Sequence, residues 1–434
     1  MITSNIGRMF LETYNQRKET AYTPKTLFAE AFYPLFFGHC KYMMTGGNSP
    51  LENPKISWAK MILGKIPFET KEQRLERYKK LMSEISKGNA GMNLAIGYPS
   101  SDISAATSGQ VSGNTLFASE EDAYLSWIGA ALGVRVEGGQ TLFFLNSDIL
   151  FNIYEGWEIY RQHLNNDEKL AGNQIAAWNA KWILYRYSDE YAANMQGNFR
   201  QTFSNELENT KEGIKRINTV SWPRVLAAIA RHSAGNAKLL CYVCNFGQTN
   251  TTYGFIPFIL DEIRKPIDLY EKFFGIEEGK AAENLWGLNM NVACQAGSIG
   301  LKAMEPGRLR KEFIGKEIKY SEKNKIKFNT YMIWVVSMLN NEELYEKSKE
   351  FAEELMKYAN ASSKAKTTNA NKAKKVLEAK NRAGFIDALA DIVSEADDLQ
   401  KPKIIEMVEQ VNALPADNVQ YFLTLLKFNY AALK

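Results

Sequence analysis

The sequence predicts an α+β protein. A mixed domain over residues 1–330, with short antiparallel sheets and many helices, precedes a C-terminal helical bundle over residues 331–434. Three observations predict it. Apolar residues in the last hundred positions recur at three- and four-residue spacing, the period of one buried helix face. Short apolar runs near residues 134–145 and 239–259 have the length and residue types of strands. At 434 residues, 45% hydrophobic and 24% charged, the chain is long enough for two or three cores and ordinary for globular protein.

In chain order, residues 10–16 and 26–37 read as helices, the second with Ala29, Phe32, Tyr33 and Phe36 on one side. The turn-rich stretch 45–50 breaks the chain. Residues 72–86 read as an exposed amphipathic helix whose inner stripe is Leu75, Tyr78, Leu81 and Ile85. Residues 94–98 are a strand candidate, 99–114 a polar loop and 123–132 a helix. Gly138 and Gly139, flanked by residues 134–136 and 141–145, mark a β-hairpin. Helix-rich segments follow at 149–186 and 220–231, then strands at 239–244 and 253–259. The bundle stripes are Leu344, Phe351, Leu355 and Tyr358; Phe385, Leu389 and Ile392; Ile404, Val408 and Val411; and Val419, Phe422, Leu423, Leu426 and Tyr430. Residues 361–380, rich in Lys, Ala, Asn and Thr, read as a linker or as a loop that orders on a polyanion.

A net charge of +4 decides nothing alone, but its distribution is uneven. Nine basic residues face four acids between 302 and 327. Lys364, Lys366, Lys372, Lys374, Lys375, Lys380 and Arg382 face the single acid Glu378, whereas 387–398 and 406–417 are acidic. Such segregation suits local contact with phosphate; solvated helix faces segregate charge as well. With no run of about twenty apolar residues, no membrane span is expected. The start lacks the order of a secretory signal, and four cysteines make no disulfide framework, so a cytoplasmic location is expected.

Enzyme patterns fail on their own chemistry. Residues 296–300, Ala-Gly-Ser-Ile-Gly, imitate a nucleophile elbow, whose partner histidine follows the serine. His39, His163 and His232 all precede Ser298, which leaves a small-residue turn as the alternative. Cys241 and Cys244 have redox spacing, yet a two-residue period sends them to opposite faces of a strand, as buried, inert thiols. Residues 275–281 are one residue short of a phosphate loop and lack its hydroxyl. His39 and Cys40, beside an aromatic cluster, read as core, and Glu120, Glu121, Asp397 and Asp398 as helix-start or surface acids. No catalytic residue, metal ligand or cofactor is expected.

Two loops combine glycine with amides and hydroxyls, at 108–114 and 245–252. Glycine lets backbone approach a partner, and Asn and Gln donate and accept together, as base-edge reading requires. The same residues also cap helices and form turns. Several blocks resemble the large subunits of type I CRISPR Cascade effectors: residues 121–129 (Glu-Asp-Ala-Tyr-Leu-Ser-Trp-Ile-Gly), 245–258 with its Phe-Gly-Gln-Thr-Asn core, 291–308, and 383–389 through 413–418 to Tyr430. The blocks cover about a third of the chain. The resemblance implies a mixed N-terminal domain with a C-terminal bundle, and a non-catalytic role in RNA-guided DNA recognition. Guide pairing reads the target, while the protein inspects a short adjacent motif, helps separate strands and recruits a helicase-nuclease.

Implied partners are the CRISPR RNA ribonucleoprotein subunits, target double-stranded DNA and the helicase-nuclease. By chemistry, Gln110, Asn114, Asn245, Gln248 and Asn250 are candidates for base edges. Lys302, Arg308, Arg310 and Lys311, with Lys364, Lys366, Lys374 and Lys375, are candidates for phosphate. The rival expectations are a stand-alone enzyme with an unrecognised carboxylate site, or a structural assembly protein that never touches nucleic acid.

Overall fold

The structure, a computed structural model, describes residues 1–46, 49–51, 58–88, 90–91, 93–98, 117–191, 203, 207–232, 238–245, 252–307, 320–361, 366–398 and 400–434. It is α+β as the patterns predict, with two small antiparallel sheets among many helices. By contact it divides into two units, Met1–Leu260 and Asp261–Lys434.

The first unit opens with α1 (Ile2–Lys18) and α2 (Pro24–Leu27), the latter started by a Thr23–Thr26 capping box and Pro24. A single π turn over Phe28–Phe32 carries α2 into α3 (Tyr33–Phe36). The short α4 (Trp58–Ile62), α5 (Lys71–Ser86) and α6 (Glu120–Ala131) follow. Helices α1 and α6 cross at backbone distance because each has a glycine at the crossing. A Cβ on Gly7 would stand 2.1 Å from the Leu125 carbonyl oxygen, and one on Gly129 only 1.9 Å from that of Thr3. Ser4 Oγ donates to the Asp122 carbonyl at 2.9 Å and closes the contact.

Strands β1 (Val134–Arg135) and β2 (Thr141–Phe144) form the expected hairpin. Helices α7 (Ser147–Glu155), α8 (Trp157–Asn166) and α9 (Ile175–Arg186) come next. A two-stranded sheet of β3 (Leu207–Asn209) and β4 (Lys215–Ile217) precedes α10 (Trp222–His232). Strands β5 (Lys238–Cys244) and β6 (Gly254–Ile259) complete a four-stranded sheet in the order β1-β2-β5-β6. One face of that sheet, with Leu142, Phe144, Leu239, Cys241, Val243, Ile256 and Phe258, is wholly buried.

Two buried cations act as helix caps here. The Arg161 guanidinium donates to the carbonyls of Leu35, Phe36 and Lys41, closing the end of α3. Lys41 Nζ donates to those of Leu164, Asp167 and Leu170, closing the end of α8. Carbonyls at a helix C-terminus lack intrahelical donors and carry negative partial charge, so a cation suits them.

In the second unit, α11 (Leu260–Phe274), α12 (Ile276–Ala282) and α13 (Met290–Ala296) lead to α14 (Lys325–Leu339). Buried from Phe328 to Ser337, α14 is the central helix of this unit, as an all-round apolar helix must be. Phe428 meets Phe328 at 4.7 Å and Tyr331 at 5.3 Å, and Tyr421 meets Trp334 at 5.6 Å. Around it lie α15 (Glu343–Asn360), α16 (Lys366–Glu378), α17 (Arg382–Val393), α18 (Lys401–Ala413) and α19 (Ala416–Ala432). The bundle stripes are buried as expected, except that Val408 is half-buried and Met407 takes the inner position.

Four expectations change. Residue 330 falls inside α14, whose burial ties it to the helices after it, and the division lies at 260/261 instead. Residues 366–378 are helix rather than linker: Ala373 and Val376 give α16 a buried face, and Asn369 Nδ2 donates to the Tyr358 carbonyl. Residues 94–98 form turns, not a strand, because side chains take their polar groups. Trp127 Nε1 donates to Leu94 O, Thr3 Oγ1 donates to Ile96 O, and Ser126 Oγ accepts from Ile96 N. On α5, Leu81 and Ile85 are buried and Tyr78 stacks on Tyr33 at 4.0 Å, but Leu75 is exposed.

Candidate nucleic-acid interface

The β5–β6 pair carries the most open apolar surface of the first unit's sheet. Alternation along β5 puts Lys238, Leu240 and Tyr242 on the face opposite the core, with Ile259, Pro257 and Phe255 as their register partners. Phe255 is 57% exposed and Leu240 41%, far more than strand aromatics and leucines packed on a core. The Tyr242 and Phe255 rings meet edge to face at 5.0 Å. Among the described residues nothing pairs with the outer side of β6, which is the sheet edge. Tyr253 N donates to Val243 O at 3.0 Å although Val243 is in register with Gly254, so two residues oppose one. This bulge, with Gly254 at φ 80°, bends the strand where it enters from the connection.

That connection, residues 245–253, is the second amide-bearing loop. Its first member, Asn245, is half-buried, and its Nδ2 stands 3.3 Å from where a Cβ on Gly139 would lie. The amide therefore lies against the β1–β2 turn. Gln248 and Asn250 lie outside the described residues, as do Gln110, Asn114 and Phe246. The hairpin thus joins the loop that sequence reasoning singled out to a ring surface that it missed. Alternation was the available signal, because Leu240 and Tyr242 share a parity that Leu239, Cys241 and Val243 do not.

Among the basic candidates, Lys302 is exposed in a short 3₁₀ turn, Leu301–Met304, held where Glu262 Oε2 accepts from Leu301 N at 3.1 Å. Arg308, Arg310, Lys311 and Lys364 lie outside the described residues, and Lys366 begins α16. Lys374 reaches Glu378 at 3.7 Å, Lys375 reaches Asp391 at 3.7 Å, and Lys372 reaches Glu395 at 2.6 Å. The acidic stretch after 387 therefore packs beside the basic one. Exposed pairs of this kind are weak, so Lys374 and Lys375, each with a side chain 68% exposed, remain available to a stronger anion.

The residues that imitate catalytic motifs have structural roles. Gly297, left-handed at φ 68°, ends α13, and Ser298 N donates back to Ala293 O at 3.1 Å. A Cβ on Gly300 would stand 2.1 Å from Glu262 Oε2, so this is a small-residue turn under close approach. Cys241 and Cys244 are buried; burial pushes the Cys241 thiol well up and the Cys244 thiol to about 12. Among the described residues no group of three His, Cys, Asp or Glu converges as metal ligands, and no helix is long and apolar enough to cross a membrane. Comparison with known proteins finds no matching family model, no matching curated protein and no matching solved structure.

Proposed function

We propose that the chain is the non-catalytic large subunit of an RNA-guided CRISPR surveillance complex, contacting target DNA beside the guide-paired strand. The observation that carries this reading is the β5–β6 hairpin. The block at 245–258 that resembles Cascade large subunits also carries the exposed Phe255, whose ring meets the half-buried Tyr242 beside an amide-bearing connection. Aromatic faces stack on unpaired bases of any sequence, and amides discriminate base edges. A surface combining them suits a protein that inspects a short duplex motif and then holds a displaced strand. In this reading Gln110, Asn114, Asn245, Gln248 and Asn250 probe bases. Lys302, Arg308, Arg310, Lys311, Lys364, Lys366, Lys374 and Lys375 meet phosphates, and the complex recruits its helicase-nuclease in the cytoplasm.

The test is co-purification of tagged protein from its native host, with RNA and protein partners identified together. Short repeat-derived RNA with several different subunits supports the reading; a lone protein without RNA overturns it. Within the recovered complex, Phe255→Ala and Tyr242→Ala should each weaken single-strand binding by about 1–3 kcal/mol. Because Phe255 is mostly exposed, its removal should leave folding intact. The unpaired edge of β6 favours one second reading, an assembly protein whose Leu240–Phe255 face receives another subunit. In that case Phe255→Ala releases a subunit and leaves nucleic-acid affinity unchanged.

A further inference from the structure

The two edges of the four-stranded sheet differ in how they are closed. At one edge β1 is only Val134–Arg135, and the chain just beyond it is already engaged, where Glu137 N donates to Val220 O at 2.9 Å. At the other edge β6 runs over Gly254–Ile259, and among the described residues nothing pairs with its outer side. Its sequence is Gly-Phe-Ile-Pro-Phe-Ile, so a proline interrupts a run of strong strand formers.

The ladder fixes which way that proline faces. Leu145 N donates to Leu240 O at 3.0 Å, so the backbone polar groups of Leu240 point toward β2 and away from β6. Leu240 is in register with Pro257. In an antiparallel ladder such a pair exchanges no hydrogen bonds, so the backbone of Pro257 points out of the sheet. By alternation that of Phe255 and Ile259 does too. The outer edge of β6 therefore offers carbonyls at Phe255, Pro257 and Ile259, but N–H groups only at Phe255 and Ile259. Side chains of the same three residues share the open face with Leu240, which is 41% exposed beside Phe255 at 57%.

We propose that Pro257 blocks β6 from pairing with β6 of a second copy of this chain. Two such edges would meet antiparallel about a two-fold axis, with Phe255 opposite the partner's Ile259 and the two prolines opposite each other. Both hydrogen bonds of that middle pair need the N–H that proline lacks, and the two rings would crowd the axis. Every register that joins more than one outward residue of each copy passes through position 257, so slipping the strands does not escape the block. Without it the two sheets would merge, and the apolar Leu240–Phe255 face would double into one continuous surface. A partner at this hairpin is left to meet side chains rather than main chain. The inference rests on the ladder alone and is independent of the proposed nucleic-acid role.

The test is sedimentation velocity of the purified full chain and of Pro257→Val and Pro257→Ala, from low to high micromolar concentration. Both variants restore the central donor, and both are expected to shift with concentration toward twice the mass of the chain, Pro257→Val the more strongly; the parent should not shift in this way. Hydrogen exchange identifies the contact. In the associated variant the outward amides of Phe255 and Ile259 should gain protection, while those of Ile256 and Phe258, which face β5, should stay as they are. Circular dichroism establishes that each variant is folded. Folded variants that sediment as the parent does at every concentration overturn the proposal. So does association without new protection at Phe255 and Ile259, which would assign it to the apolar face, and so does a parent that already associates with those amides protected.

Discussion

At the residue scale, burial decides which groups can react. A thiol attacks as its thiolate, so a buried thiol with a raised pKa is protected by both access and ionisation. Cys241 and Cys244 are in that state, while Cys40 and Cys294 are exposed. Native protein titrated with an aromatic disulfide reagent should therefore release two equivalents quickly, and the other two after denaturation. Substituting Cys40 and Cys294 with serine should abolish the fast phase; a fast phase that survives would mean that the β5 strand opens in solution. The placement of Cys241 and Cys244 on opposite faces was legible from strand alternation alone. That both faces are covered at Cys244 was not, because coverage depends on distant elements. The outward Leu240 and Phe255 escaped notice for the same reason: alternation tells which residues share a face, not which face meets the core.

At the element scale, the crossing of α1 and α6 depends on two missing methyl groups. Gly129→Ala would drive a Cβ into the Thr3 carbonyl oxygen, a backbone atom that moves only with its helix. The expected cost is about 1–3 kcal/mol or more, read as a lower denaturant midpoint, whereas Gly213→Ala, where a Cβ meets nothing, serves as the open-space control. Since Gly213 sits at φ 80°, that control carries its own backbone cost, and Gly129→Ala must exceed it. In the bundle, Glu354 ties α15 to α18, accepting from Lys403 at 2.7 Å and from Lys357 at 2.9 Å. The hydrogen bond from Lys403 is the first cause that holds its carboxyl below the usual range. A carboxyl with a depressed folded-state pKa stabilises above its unfolded value of about 4.3 and loses that contribution as pH falls through the folded value. Glu354→Gln should therefore lower thermal stability at pH 7 and narrow the difference from the parent below about pH 4. Equal loss at both pH values would assign the effect to packing. Elements with a repeating stripe, such as α15 and α19, were legible because period and burial agree. Residues 361–380 were not, because the buried face of α16 is one amide and two apolar positions, Asn369, Ala373 and Val376, within a lysine-rich surface. Residues 94–98 carry enough apolar character for a strand, but their polar groups are claimed by Thr3, Ser126 and Trp127, which are distant in sequence.

For the whole molecule, a net charge of +4 spread over 434 residues gives too weak a field to hold DNA by itself. Under the proposed function, phosphate contact would have to be local, and the two basic stretches differ in how local they are. Lys374 and Lys375 have acidic neighbours in Glu378 and Asp391, so a phosphate displaces an existing pair before it gains a new one. The 302–327 stretch has nine cations against four acids, and Lys302 at its start is exposed. Reversing Lys302, Arg308, Arg310 and Lys311 to glutamate should weaken duplex binding for every sequence and flatten the dependence of log K on log salt. The slope should fall by about 0.9 for each phosphate that the variant no longer neutralises. Each reversal removes two charges, so the four take the net charge from +4 to about −4, and long-range repulsion alone would weaken binding. A matched control separates the two effects: the same reversal at Lys272, Lys347, Lys349 and Lys401, which already face Glu342, Glu406, Glu346 and Asp398. If both quadruple variants flatten the slope equally, the field of the whole protein is responsible and the 302–311 cations have no phosphates of their own. If the first does so and the control does not, counterions are released at that stretch. Motif preference should then survive in the weakened complex, because phosphate contacts set position and affinity, whereas in the proposed reading discrimination belongs to the amides.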